Sequence, residues 1–404
     1  MLKKIAVSEL RLGMHLTRFE GAWIDHPFWR NRFVVDNEAD LSAARRSGVR
    51  ECWIDTDLGL DVAPTPVAAA VVQDVEVVAA PAPPQVELAA STSFDEELCR
   101  AALVCSRGRA AVQSLFGEAR LGRALDAEQC MPLVQDICDS VARNRGALVS
   151  LARLKTADDY SYMHSVAVCA LMVALARRLG LGDAACREAG LAGLLHDIGK
   201  AQMPVAILNK PGKLTDDEFA VMRLHPERGW ALLRESQGVG DAVLDVCLHH
   251  HERIDGTGYP KRLPEAKISQ LARMGAVCDV YDAITSNRPY KAGWDPGDSI
   301  SRMASWKGHF DPVVFATFVK CVGIYPTGSL VRLASDRLAV VEEQNPAMLT
   351  APVVRVFFCT QKKAVIPVQR IELAHGADRI VGREPRSAWN FPHIESVWLG
   401  DTVI

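Results

Sequence analysis

One stretch limits how this chain can be divided. Residues 61–90 contain 9 Ala, 8 Val and 5 Pro among 30 positions, with almost no aromatic or helix-patterned content. Pro81, Pro83 and Pro84 fix the backbone and remove amide donors, so residues 61–92 are expected to form an extended, semi-rigid tether. A buried strand over 71–78 is the competing reading, because a short Val-rich run also suits a sheet interior. With a tether here, the 404 residues divide into separate cores, and the length allows two or three domains.

Residues 1–60 read as a small α/β module. Runs of β type at 32–35 and 51–54 flank a helical stretch, Glu38–Arg46, which Gly48 terminates. From 93 to 323 the pattern is helical. A helix over 158–179 takes Asp158 as its cap and ends at Gly180, and further helices cover 183–198, 241–251 and 268–286. Thr215 and Glu218 fit a capping box for another, each side chain satisfying the other's exposed amide. After Gly323, β-type runs at 329–333, 338–341, 353–358 and 365–368 make residues 324–404 a β-rich C-terminal appendage. The fold class is therefore multidomain and mainly α.

Forty-six basic against 49 acidic side chains leave a net charge of −3, which excludes a generic coat for DNA or RNA. No apolar run reaches the roughly 18 residues of a membrane span. Ser8, Glu9 and Arg11 interrupt the basic start before a signal-peptide core forms, so a cytoplasmic protein is expected. Eleven cysteines, an odd number with no C-x-x-C pair, fit reduced thiols in a core.

Six of the eleven histidines lie between 164 and 251: His164, His196, His225, His249, His250 and His251. His196-Asp197 closes the apolar run 191–195, and Asp279 follows the apolar run 274–278. A buried aspartate is costly unless paired or metal-bound. Carboxylate and imidazole donors gathered in one helical domain suit divalent transition metals.

The sequence around these residues is more specific. His196-Asp197-Ile198-Gly199-Lys200, then His225-Pro226, then His250-His251-Glu252-Arg253-Ile254-Asp255-Gly256-Thr257-Gly258-Tyr259-Pro260 resembles the signature of HD-GYP domains, a subgroup of the HD metal-dependent phosphohydrolases. The likeness continues through Asp279-Val280-Tyr281-Asp282 and Ser286-Asn287-Arg288-Pro289-Tyr290, covering about 155–320. Residues 5–55, with Leu10-Arg11-Leu12-Gly13-Met14 and Gly48-Val49-Arg50-Glu51, resemble the small N-terminal domain often joined to such proteins.

The resemblance implies an all-helical HD-type core and hydrolysis of cyclic di-GMP, with pGpG and then GMP as candidate products. It makes His164, His196, His225, His250 and His251 imidazole ligands, Asp197 the bridge between two ions, and Asp279 the member that completes one coordination sphere. Iron or manganese is expected, with nickel, cobalt and zinc also compatible. Two cations about 3.5–4 Å apart acidify a water and bind phosphate oxygens. Lys200 is placed to meet the phosphate or leaving oxygen as a point charge, and Arg288 and Lys291 match phosphate-binding positions. Tyr259, in a glycine-flanked turn, either meets a guanine face or shapes the loop.

The Glu252-Arg253 that follows fixes the ligand pair as His250 and His251, leaving His249, like His309 and His375, outside the site. Residues 209–213 read as a lid or a plain connector. HD-GYP proteins with a third metal carry a glutamate one helical turn before the first histidine ligand. Tyr160 stands at that position here, so two ions are expected. Alternatives are another cyclic dinucleotide as substrate, or a weakly catalytic module that binds the nucleotide or a diguanylate cyclase. A homodimer is compatible with either.

Overall fold

The computed structural model describes residues 2–19, 33–36, 38–46, 51–61, 93–154, 160–286, 293–376, 378–391 and 394–399. The expected tether beyond residue 61, the Asp158 cap, Arg288 and Lys291 lie outside them. The chain forms two compact units, Met1–Glu87 and Leu88–Ile404.

The first unit is an antiparallel sheet with one helix. Strands β1 (Leu2–Ala6), β2 (His15–Phe19), β3 (Phe33–Val34) and β4 (Glu51–Asp55) stand in the order β1-β4-β2-β3. Helix α1 (Glu38–Arg46) contributes Leu41 and Ala44 to a core with Ile5, Leu10, Met14, Leu16, Cys52 and Ile54. Alternation along β4 buries Cys52 and Ile54 on one face, as a half-buried strand requires.

The second unit begins with α2 (Phe94–Arg120), whose first turn is closed by Ser93 Oγ accepting from the Glu96 amide. Then come α3 (Met131–Arg143), α4 (Arg145–Ala152), α5 (Tyr160–Arg178), α6 (Asp183–Leu195), α7 (Val205–Leu208), α8 (Asp216–Met222), α9 (His225–Arg234), α10 (Asp241–His249), α11 (Gln270–Thr285), α12 (Pro296–Ser305) and α13 (Pro312–Val322). The expected capping box holds at α8, where Thr215 N donates to Glu218 Oε2 at 2.7 Å and Glu218 N to Thr215 Oγ1 at 3.3 Å. Residues 163–176 of α5 are buried on every face, which makes α5 the central helix of the unit. Gly193 lets α6 approach it closely: a Cβ there would stand 2.9 Å from the Val168 carbonyl oxygen.

The C-terminal strands β5 (Leu330–Leu333), β6 (Arg337–Glu343), β7 (Val353–Cys359), β8 (Ala364–Glu372) and β9 (Ile380–Arg383) form an antiparallel sheet in the order β8-β7-β6-β5-β9. This sheet is not a free-standing module. Leu330, Leu338, Val340 and Phe357 share a core with Phe94 and Leu98 of α2, Ala147 of α4, and Trp398 of α14 (Ile394–Leu399). Five strands need a covered apolar face, and α2, α4 and α14 supply the cover. No disulfide joins any of the eleven cysteines. Among the described residues, no helix is long and apolar enough to cross a membrane.

Candidate metal centre

Three helix ends and two helix interiors deliver the expected residues to one place. His164 lies on α5, and Asp279 on α11. His196 and Asp197 follow the last residue of α6, His225 opens α9, and His250 and His251 follow α10. Gly199 allows the turn after Asp197 to lie against the start of α9, since a Cβ there would collide with the His225 carbonyl oxygen at 2.0 Å. All seven residues are buried except His251, which is partly exposed.

The donor atoms form two groups that share Asp197. One is His164, His196, Asp197 and Asp279, and the other Asp197, His225, His250 and His251. Asp197 turns one oxygen to each. Its Oδ2 lies 3.4 Å from the Nε2 of both His164 and His196, and its Oδ1 lies 3.2 Å from His225 Nε2 and 3.7 Å from His250 Nε2. Asp279 Oδ1 is 3.0 Å from His164 Nε2, and its Oδ2 is 3.7 Å from His251 Nδ1.

Hydrogen bonds at the far side of the rings set the tautomers. His196 Nδ1 faces the Gly193 carbonyl at 2.8 Å, His225 Nδ1 the Met222 carbonyl at 2.8 Å, and His250 Nδ1 the Cys247 carbonyl at 3.0 Å. A carbonyl only accepts, so each Nδ1 carries a proton, and in the neutral ring it is Nε2 that presents a lone pair inward. His225 Nε2 and His250 Nε2 then face each other at 3.4 Å. Two lone pairs at that distance repel unless a cation lies between their donors. Among the described residues, His196 Nε2 and Asp197 Oδ1 are buried without a hydrogen-bond partner. The donor set therefore fits divalent metal ions, which these orphaned atoms would ligate.

Charge is shared out unevenly. Burial opposes ionisation of Asp197, but Lys200, His196 and His164 outweigh it and hold its carboxyl well below the usual range. Asp279 is held low in the same way, by His164 and His196 against burial. The two aspartates push His196 up to about 10 despite its burial. Burial, reinforced by His196, lowers His250 to about 3, and burial with the adjacent His250 holds His251 well below its ordinary value. Lys200 Nζ donates to Asp197 Oδ2 at 2.5 Å, at the rim of the cluster.

Further residues shape the site. Asp282 Oδ2 lies 2.6 Å from His164 Nδ1 and so aims that ring. Its signal was available, because it stands three positions after Asp279 on a buried helix face. The buried Glu252 accepts from the amides of Lys261 at 2.6 Å and Leu263 at 3.0 Å, pinning the loop that carries Tyr259. The Tyr259 ring lies 4.6 Å from that of His251, and the Arg223 guanidinium is 4.7 Å from its centre. Phe219, 48% exposed, lies 6.5 Å from the same ring.

The remaining expectations separate. His249 is outside the cluster, paired with Asp245 Oδ1 at 2.7 Å. His375 is exposed. His309, expected at the surface, is instead partly buried and stacked on Phe310 at 4.2 Å, and burial lowers its pKa to about 4. The 209–213 connector is tied to α8 by Lys210 Nζ donating to Glu218 at 2.6 Å.

Comparison with known proteins agrees with this geometry. The HD domain model matches residues 137–314, and a domain of unknown function, DUF3391, matches residues 2–130. A cyclic di-GMP phosphodiesterase of Pseudomonas aeruginosa is 56% identical over 404 residues, spanning 99% of this chain and 96% of its own. The chain belongs to the HD-GYP family. Other relatives match a smaller share of the chain. A cyclic di-GMP phosphodiesterase response regulator of Xanthomonas campestris is 38% identical over 47% of this chain and 50% of its own length. A 3'3'-cGAMP-specific phosphodiesterase of Vibrio cholerae is 36% identical over 40% of this chain and 38% of its own length.

Proposed function

We propose that this chain hydrolyses the phosphodiester bonds of cyclic di-GMP in a metal-dependent reaction, with linear pGpG as the main product. The observation that carries the reading is Asp197, whose two carboxylate oxygens each face a separate set of imidazoles. His164, His196 and Asp279 would hold one ion and His225, His250 and His251 the other, with Asp197 contributing to both. Two divalent ions bound there, iron or manganese in preference to nickel, cobalt or zinc, supply Lewis acidity and activate the nucleophile.

The chain's own residues do the rest. Lys200 sets a positive charge at the rim, where negative charge develops on the phosphate. Arg223 forms no ion pair among the described residues and lies over Tyr259, so it offers a guanidinium to a phosphate or a guanine edge. Tyr259 packs on His251 with part of its ring accessible, which combines loop shaping with a stacking surface. Arg288 and Lys291 join this set as phosphate-binding residues on the strength of their motif positions.

Incubating metal-loaded protein with cyclic di-GMP, and separately with 3'3'-cGAMP, tests the reading. The expected result is about two metals per chain, with pGpG accumulating from cyclic di-GMP. Turnover of 3'3'-cGAMP alone overturns the substrate assignment, and tight binding without turnover identifies a binding module. The family resemblance extends the proposal to docking with diguanylate cyclases and to a homodimer, both tested by co-purification and sedimentation of the full chain.

A further inference from the structure

A second cavity, partly open to solvent, lies behind the metal centre. It has a volume of about 340 Å³ and sits among α3, α4, α5, α11, α13 and the start of the C-terminal sheet. None of the seven clustered donors lines it, but Asp282, which aims His164, forms part of its wall. The space lies within the range of small-molecule sites.

Its charge is unbalanced. Arg143, also on the wall, is satisfied by Glu97 through contacts of 2.7 and 2.9 Å. Arg145, Arg153 and Lys320 line the same space, and none of them forms an ion pair among the described residues. Among the described residues Arg153 donates to the Thr327 carbonyl at 2.8 Å and to no other acceptor, and burial lowers its pKa from the ordinary value. An arginine does not escape such a position by losing its proton. Of the two acids on the wall, Asp282 is engaged by His164. Glu343 accepts from Asn144 Nδ2 at 2.9 Å and is pushed toward its neutral form by burial. Val149, Leu171 and Leu349 add an apolar side.

We propose that this cavity binds a small organic phosphate, its phosphate held by Arg145, Arg153 and Lys320 and its organic part against Val149, Leu171 and Leu349. Three cations suit a dianion better than a single carboxylate, and two guanidinium forks match phosphate geometry. The occupant touches Asp282, and through it the support of His164. The site does not depend on which cyclic dinucleotide is hydrolysed.

Phenyl phosphate is the probe, titrated calorimetrically into the full-length metal-loaded protein. Because it can also meet the metal centre, two variants separate the sites. Arg145→Gln/Lys320→Gln is expected to weaken one class of binding at least tenfold, while Asp197→Asn retains that class. Lys320→Gln alone gives a smaller loss in the same direction and serves if the double variant fails to fold. Wild-type-like titration of the folded variants, absence of binding to the wild type, or loss of all binding in Asp197→Asn overturns the proposal.

Discussion

The two halves of the metal cluster differ in chemistry and in how they are held. The half with His164, His196 and Asp279 is rich in carboxylate, and its aspartates push His196 up to about 10. The half with His225, His250 and His251 is rich in imidazole, with His250 lowered to about 3. At neutral pH an ion entering the first half must displace protons, whereas the second already offers neutral His250 and His251. Support differs too. His225 and His250 are aimed by carbonyls of their own local chain, but His164 is aimed by a carboxylate 118 positions away. The first half is thus the one that tertiary changes can disturb.

The largest expected effect removes the shared member. Asp197→Asn should abolish cyclic-dinucleotide hydrolysis and reduce metal content in both halves, read by elemental analysis and product assay. Loss of only one ion with activity intact would show that the halves do not share it. Asp279→Asn should separate them: the acid-rich half empties, the imidazole-rich half keeps its ion, and metal content falls by about half from the two expected of this centre.

Asp282→Asn is expected to be milder, about 10–100-fold in metal affinity or activity, the usual cost of losing an outer partner. That loss should fall on the acid-rich half alone, which metal titration of the Asp282 and Asp279 variants can compare. Arg223→Gln should leave both halves loaded and weaken substrate binding by about 1.5–3 kcal/mol, the range for hydrogen bonds to charged groups. An unchanged KM removes Arg223 from the substrate site. The smallest effect belongs to His249→Gln. It breaks only the pair with Asp245, costs about 0.3–0.5 kcal/mol of stability, and leaves metal content unchanged by elemental analysis.

Much of this protein was legible from local sequence. The Thr215–Glu218 capping box and the bounds of α1 follow from hydrogen bonds within a few residues. The tautomers of His196, His225 and His250 follow as well, because a helical turn places a carbonyl three residues back beside each Nδ1. The register of the histidine triplet was legible through its following Glu252-Arg253, and the structure places His249 outside.

Tertiary structure alone decided the rest. Asp282 became the support of His164 because α5 and α11 pack together, and Arg223 met Tyr259 because α8 and the glycine-flanked loop converge. The C-terminal sheet was expected from its β-type runs, but packing alone decided that its apolar face is shared with α2 and α4. His309 looked exposed, but it is partly buried where the Asp255 amide donates to the neighbouring Gly308 carbonyl. Local hydrogen bonds repeat with the helix period and can be read along a chain. Contacts between distant segments depend on close approaches such as Gly193 against the α5 backbone, and the linear pattern does not say which segments will meet.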